Sequence, residues 1–179
     1  MLKLIEPSAS CFEEIKAGLA EIKNNRTPYD IHAVERLVEY MDRNFEGYMD
    51  YLDKCRSPEQ PEGRVPSTTL FLYDDDRFIG VYCIRHYLND TLKKAGGHIA
   101  YQIIPSERRK GYVKAGLKLV LKWCRKNLGL KEALLFCNAK NIASDRAMTS
   151  VMEEMGGRRV PDHVYENALE RGVWIKTRD

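Results

Sequence analysis

Three consecutive cations, Arg108, Arg109 and Lys110, run directly into Gly111. Ahead of them Ile99 to Ile104 reads IAYQII, an apolar and aromatic run suited to a buried strand, and Pro105-Ser106 turns it. Behind them Leu117, Val120, Leu121, Cys124 and Leu128 recur at i, i+3, i+4, i+7 and i+11, the apolar face of a helix. A strand, a glycine-bearing turn and a helix N-terminus together suit an anion. The first-turn N–H groups have no intrahelical partners and the macrodipole favours negative charge there. Cations at that end oppose the dipole by roughly 0.3–1 kcal/mol, a conflict that a bound anion resolves.

Two phosphate motifs fail on this turn. Gly111 and Gly116 have the Walker A spacing, but Leu117 stands where Lys is needed and neither Ser nor Thr follows Lys118. A dinucleotide fingerprint lacks its first glycines. Arg108 to Val113 instead resembles the Arg/Gln-x-x-Gly-x-Gly/Ala pyrophosphate loop of the GNAT superfamily of N-acetyltransferases, with Arg108 first and Gly111 the first glycine. The last position departs from that pattern, being Val113.

The elements that must position this turn follow from local patterning. Ser10-x-x-Glu13 reads as a capping box before a helix with Phe12, Ile15, Leu19 and Ile22 inward. A second helical region is predicted from about Asp30 to Lys54, with Val34, Leu37, Val38, Met41, Phe45, Tyr48 and Leu52 as its stripe and Gly47 as a point of interruption. Arg56 to Ser67 is a proline-bearing loop. Thr69–Tyr73 and Phe78–Arg85 flank Asp74-Asp75-Asp76-Arg77 as a β-hairpin whose acids are turn formers. His86 to Gly97 is a polar connection. Leu130–Cys137 is a second buried strand, Asn141-Ile142-Ala143-Ser144 opens a helix ending at Met155, and Val160–Tyr165 with Gly172–Ile175 form a last strand pair. This order predicts an α/β chain of the α+β type, a central mixed sheet with helices on both faces. One domain over 1–179 is expected.

Charge is uneven. Nine of the 29 Lys/Arg residues lie between Arg108 and Lys131, where there is no Asp or Glu, so the rest of the chain is acidic. Lys114, Lys118, Lys122 and Lys126 repeat every four residues, as on a solvated helix face. A nucleic-acid module is disfavoured, because only Tyr112 and Trp123 supply aromatics in the block. Five cysteines without C-x-x-C spacing and four histidines without ligand spacing argue against a disulfide framework or metal site and for a reducing compartment. With neither a secretory nor a membrane-length apolar run, a cytoplasmic protein without a membrane partner is expected.

Further stretches extend the resemblance to the GNAT superfamily: Val65-Pro66-Ser67-Thr68-Thr69, Ile84-Arg85-His86-Tyr87-Leu88-Asn89, Gly96-Gly97-His98-Ile99 and Cys137 to Ser144 look like a bacterial branch of predicted acetyltransferases. The resemblance implies the GNAT fold, acetyl-CoA as acetyl donor, and direct acetyl transfer to a primary amine of a small molecule or peptide, with a homodimer compatible with it. A catalytically silent acetyl-CoA-binding protein is the alternative. It implies that backbone at Ile103 and Ile104 pairs with the pantetheine arm. Arg108, Arg109, Lys110, Gly111, Tyr112 and Val113 would wrap the pyrophosphate, and Asn141 and Ser144 would face the pantetheine or the thioester sulfur.

The chemistry needs a base, because a lysine-like amine with pKa near 10.4 is only about one part in a thousand neutral at physiological pH. It also needs fixed donors for the oxyanion and a proton for the departing thiolate. Relatives often carry a Tyr in the helix after Asn141; here 141–157 has none, and that helix is about one turn longer than usual. His98 and Tyr101 are the catalytic candidates. Period-two alternation puts them on opposite faces, and the resemblance implies a bulge that would bring them together. His98 also reads as a strand cap, Cys137 and Cys124 as core thiols, and His86 and Tyr165 as loop-adjacent groups.

Overall fold

Six consecutive buried residues in Ser67–Asp74 and five in Arg77–Arg85 mark strands covered on both faces rather than one. The computed structural model describes residues 1–41 and 44–178, and it covers these strands as that pattern demands. Leu2–Ile5 (β1), Ser67–Asp74 (β2), Arg77–Arg85 (β3) and Ile99–Ile103 (β4) form an antiparallel sheet in that order. Glu132–Asn138 (β5), Gly157–Tyr165 (β6) and Ala168–Lys176 (β7) form a second antiparallel sheet, ordered β5-β7-β6. The central sheet is thus divided between β4 and β5, and every pairing within each part is antiparallel.

Helices Phe12–Asn24 (α1), His32–Met41 (α2) and Phe45–Arg56 (α3) lie on one face of the first sheet. There Ile15, Leu19, Leu37, Tyr48 and Leu52 pack on Phe71, Phe78 and Val81. Tyr112–Leu128 (α4) and Ile142–Met155 (α5) cover the other face, with Leu117, Val120, Leu121, Met148 and Val151 against Leu72, Tyr82, Leu135 and Val173. Among the described residues no helix is long and apolar enough to cross a membrane.

Several local expectations change. The helical region from Asp30 to Lys54 is two helices. Asn44, in extended backbone, starts α3 by accepting from the Gly47 N–H at 2.6 Å, so Gly47 belongs to a cap rather than to a break. Asp42 and Arg43 lie outside the described residues, as does the Met41 side chain. At the first helix the cap moves from Ser10 and Glu13 to Ser8 and Cys11: the Ser8 N–H donates to Cys11 Sγ at 3.2 Å, and a short 3-10 turn precedes Phe12. β1 is an additional strand, with Leu2 to Ile5 pairing with Phe71 to Asp74.

Candidate active site

The β3–β4 register decides which strand groups are free. Ile104 N–H donates to Ile79 C=O at 3.0 Å and Arg85 N–H to His98 C=O at 2.7 Å. Alternation between bonded and non-bonded pairs then points the N–H and C=O of Ile99, Tyr101 and Ile103 away from β3, toward β5. The pairing is continuous from Ile99 to Ile103, so the bulge expected in this strand is absent. His98 and Tyr101 stay on opposite faces.

β4 and β5 meet at one end only. Gly97 bridges Leu135, at a φ of +62° and so close that a Cβ would collide with the Leu134 carbonyl. His98 N–H donates to Leu134 C=O at 2.6 Å, and Leu134 N–H donates back to His98 Nδ1 at 3.0 Å. The His98 ring is 5 % exposed and edges against Trp174. Burial, with Arg85 adding to it, lowers its pKa to about 4. With Nδ1 accepting, the neutral ring carries its proton on Nε2, so neither nitrogen takes another near neutral pH. His98 therefore acts as a clamp, and its expected role as a base is not supported by these contacts.

Beyond that clamp the strands part. Tyr101 crosses the gap, its Oη 2.6 Å from Ser144 Oγ in the first turn of α5. Burial raises the Tyr101 phenol above its ordinary range, so it is protonated at neutral pH. Cys137, on β5, is buried beside Ser144, and burial pushes its thiol up to about 12; it is an inert thiol. Asn141 caps α5 by accepting from the Ser144 N–H at 3.2 Å.

At the mouth of the gap lies the cationic turn. Gly111 is the N-cap of α4 with φ +86°, and a Cβ there would meet nothing within 4 Å. Arg109 holds a positive φ of 64°, is exposed, and has no ion pair among the described residues. The other two cations have partners. Arg108 Nε donates to the Ile103 carbonyl at 3.2 Å, with Nη2 3.9 Å from Asp30. Lys110 reaches the buried Glu107 at 3.1 Å, which Arg77 holds from the other side at 3.1 Å. The clash of cations with the dipole is thus partly relieved within the chain. Tyr112 donates from Oη to Asp74 at 2.8 Å, and Val113 C=O accepts from Tyr82 Oη at 3.4 Å. Ile104 is spent inside the chain: besides its bond to Ile79, its C=O accepts from Glu107 N–H at 3.0 Å.

Further along α4, Lys114 and Lys118 both pair with Glu154 of α5, which breaks the basic stripe. His86 Nε2 is 2.9 Å from Thr68 Oγ1, near the start of β2. Reading the residues in order missed Asp30 and Gln102. Gln102 is buried, donates to Asp30 at 2.6 Å and accepts from the Ile31 N–H at 3.2 Å. These bonds tie the α1–α2 segment to β4. The local signal was Thr27-Pro28-Tyr29-Asp30, a turn in which Thr27 N–H and Oγ1 both donate to Asp30.

Comparison with known proteins agrees with this architecture. The family model for the acetyltransferase (GNAT) domain matches residues 24–151. No curated protein matches the sequence. Among solved structures, a dodecameric spermidine N-acetyltransferase from Vibrio cholerae superposes with a TM-score of 0.63 at 16 % identity, covering 98 % of this chain and 94 % of that one. The ribosomal-protein-S5-alanine acetyltransferase from Vibrio fischeri gives 0.60 at 13 % identity, covering 99 % and 94 %. At such identities the likeness is one of fold.

Proposed function

This chain belongs to the GNAT family of acetyltransferases, and from that membership we propose that it is an acetyl-CoA-dependent N-acetyltransferase acting on a primary amine by direct transfer. The observation that carries the reading is the opened β4–β5 gap, bridged by Tyr101 and Ser144 and entered past Gly111. The residues fit the donor. The open, exposed backbone at Gly111 and the exposed Arg109 suit a pyrophosphate at the α4 N-terminus. The Ile103 carbonyl, turned into the gap and already accepting from Arg108 Nε, has a second lone pair that suits an amide N–H of the pantetheine arm. The acceptor class agrees with the amines named for the two solved relatives.

Acetyl-CoA supplies an activated thioester. The strand N–H groups of Tyr101 and Ile103, aimed into the gap by the register, are fixed donors for a developing oxyanion. Tyr101 is the proton donor: as the C–N bond forms and the C–S bond breaks, the sulfur takes the phenolic proton, and Ser144 Oγ relays its replacement. This supplies from β4 the phenol that α5 lacks. Ligand at a hundred times its dissociation constant adds roughly 2.7 kcal/mol to stability. A clear thermal shift with acetyl-CoA is therefore expected, together with thiol release on adding amines. No shift at millimolar acetyl-CoA in low salt would refute the reading.

A further inference from the structure

Transfer to an amine needs a group that takes the ammonium proton, and the clamped His98 is not free to do so. Seven Asp and Glu residues among the described residues are buried or half-buried. Six have partners. Glu21 accepts from Ser106, Asp30 from Thr27 and Gln102, and Asp74 from Tyr112. Glu107 lies between Arg77 and Lys110, Glu132 holds Arg158 with both oxygens, and Asp145 holds Arg159 and Arg171. Glu170, half-buried on β7, makes neither a hydrogen bond nor an ion pair among the described residues. A carboxylate partly withdrawn from water without a partner carries a desolvation cost, and such groups gather where chemistry needs them.

Its placement matches that task. Glu170 pairs in register with Asn138, the last residue of β5, and with His163 of β6. Asn138 lies at the parted end of the gap, four residues beyond the Leu134 clamp. Along β5, Cys137 faces α5 and Ser144, so Asn138 and its neighbour Glu170 lie on the opposite face, about one strand spacing, roughly 5 Å, from β5. The proton donor Tyr101–Ser144 is on the first face. In acyl transfer the attacking nitrogen and the leaving sulfur flank the carbonyl carbon, so acid and base belong on opposite sides of it.

We propose that Glu170 is the general base of this acetyltransferase, accepting a proton from the acceptor ammonium on the face opposite Tyr101. The inference rests on the acetyltransferase reading above. The balance closes: Glu170 takes one proton from the ammonium, and the neutral nitrogen attacks the thioester carbonyl as its C–N bond forms. The C–S bond breaks, the sulfur leaves with the Tyr101 proton, and the second nitrogen proton returns to solvent as the amide forms. Burial raises the Glu170 pKa and His163 opposes it. The other charged groups nearby are committed elsewhere. His163 donates from Nε2 to the Lys94 carbonyl at 2.5 Å and sits against the Phe136 ring. Arg171 turns to Asp145 and Asp162, and the Cys137 thiol lies on the α5 face.

The test compares Glu170→Gln and Glu170→Asp with wild type, using acetyl-CoA and five acceptors: butylamine, spermidine, lysine, an alanyl peptide and hydroxylamine. Hydroxylamine is already neutral at neutral pH and needs no base. Glu170→Gln is expected to lower kcat/KM for the basic amines by about 10²–10⁴-fold and to remove the acid limb of the pH profile. It should leave the hydroxylamine reaction and acetyl-CoA affinity within a few-fold, and Glu170→Asp should restore part of the loss. Melting curves need no acceptor: Glu170→Gln should gain stability relative to wild type as pH rises above the ordinary carboxylate range, because the half-buried carboxylate ionises only in wild type. Equal losses with hydroxylamine, wild-type rates for Glu170→Gln, or parallel melting profiles would each overturn the assignment of Glu170 while acetyl-CoA binding stood. A wild-type protein that does not bind acetyl-CoA would overturn the acetyltransferase reading itself, and Glu170 with it.

Discussion

At one end of the β4–β5 gap, Gly97 bridges Leu135 while both the backbone and the ring of His98 bond to Leu134. At the other, Tyr101 reaches across to Ser144, and β4 N–H groups are aimed into open space. Each end uses an aromatic polar residue, His98 just before β4 and Tyr101 within it; the first is buried and the second partly buried. They differ in what is left over. At the clamp every ring position able to accept is used; at the parted end a phenol keeps a proton it can give, and an oxygen beside it can replace that proton. Burial alone does not make a catalytic residue. What separates the two candidates is that the Tyr101 phenol has a proton to give, whereas the His98 ring has no free accepting nitrogen.

The largest effect that sharpens this contrast is at Tyr101. Tyr101→Phe removes one oxygen and leaves the ring packing on Tyr82, 5.8 Å away between centroids. The rate of acetyl transfer should fall by about 10²–10⁴-fold, the range for loss of a general acid, with acetyl-CoA affinity kept. Stability should change by only about 1 kcal/mol, for one lost hydrogen bond. Steady-state kinetics beside a calorimetric titration decides it. A Tyr101→Phe enzyme with wild-type turnover would make the two ends of the gap equivalent.

Residue order made the parted end partly legible and the clamp hardly at all. The turn from Ile99 through Gly111 into α4 was readable because it is contiguous: strand, turn and helix face occupy one stretch with distinct periodicities. The β2–β3 hairpin and the α5 cap at Asn141 were readable for the same reason. What joins His98 to Leu134, Tyr101 to Ser144 and Arg108 to Asp30 is packing between segments 36 to 78 residues apart, which no local pattern encodes. The α2–α3 division was hidden because the apolar stripe continues across it, while among the described residues the Asn44 cap marks where the second helix starts. The division of the sheet was hidden too, since β4 and β5 each carry the apolar signature of a paired central strand. Their parting depends on where Gly97 and His98 bring the two strands together.

The clamp itself is tested by pH. His98 has a folded pKa of about 4 against an ordinary value near 6.5. The folded protein therefore binds fewer protons than the unfolded chain between those values. Stability is full above about pH 6.5 and falls as pH drops toward about 4, by roughly 3 kcal/mol at 1.36 kcal/mol per unit. His98→Phe should flatten that slope while leaving the Leu134 N–H unsatisfied, at a cost of about 1–3 kcal/mol at neutral pH. Thermal melts of both proteins from neutral to acid pH read out the two effects. An unchanged slope in His98→Phe would mean that the clamp's ring is not the group resisting protonation.

Two glycines give the contrast its smallest and cleanest form. Gly97 and Gly111 both hold positive φ, +62° and +86°, so a side chain is strained at either. At Gly97 an added Cβ meets the Leu134 carbonyl, whereas at Gly111 it meets nothing within 4 Å. The strain is shared, while the space differs. If the space at Gly111 belongs to a pyrophosphate, Gly111→Val fills it. The fold should lose only the backbone strain, about 1–3 kcal/mol, yet acetyl-CoA binding by the folded protein should be abolished. Gly97→Val should lose more stability than that, because it must also move β5, and whatever remains folded should still bind. Circular dichroism melts give the stability difference, and calorimetric titration of the folded fraction gives the binding. A folded Gly111→Val protein binding acetyl-CoA at wild-type affinity would show that this turn merely eases the chain from strand to helix, and the donor site would then have to lie elsewhere along the gap.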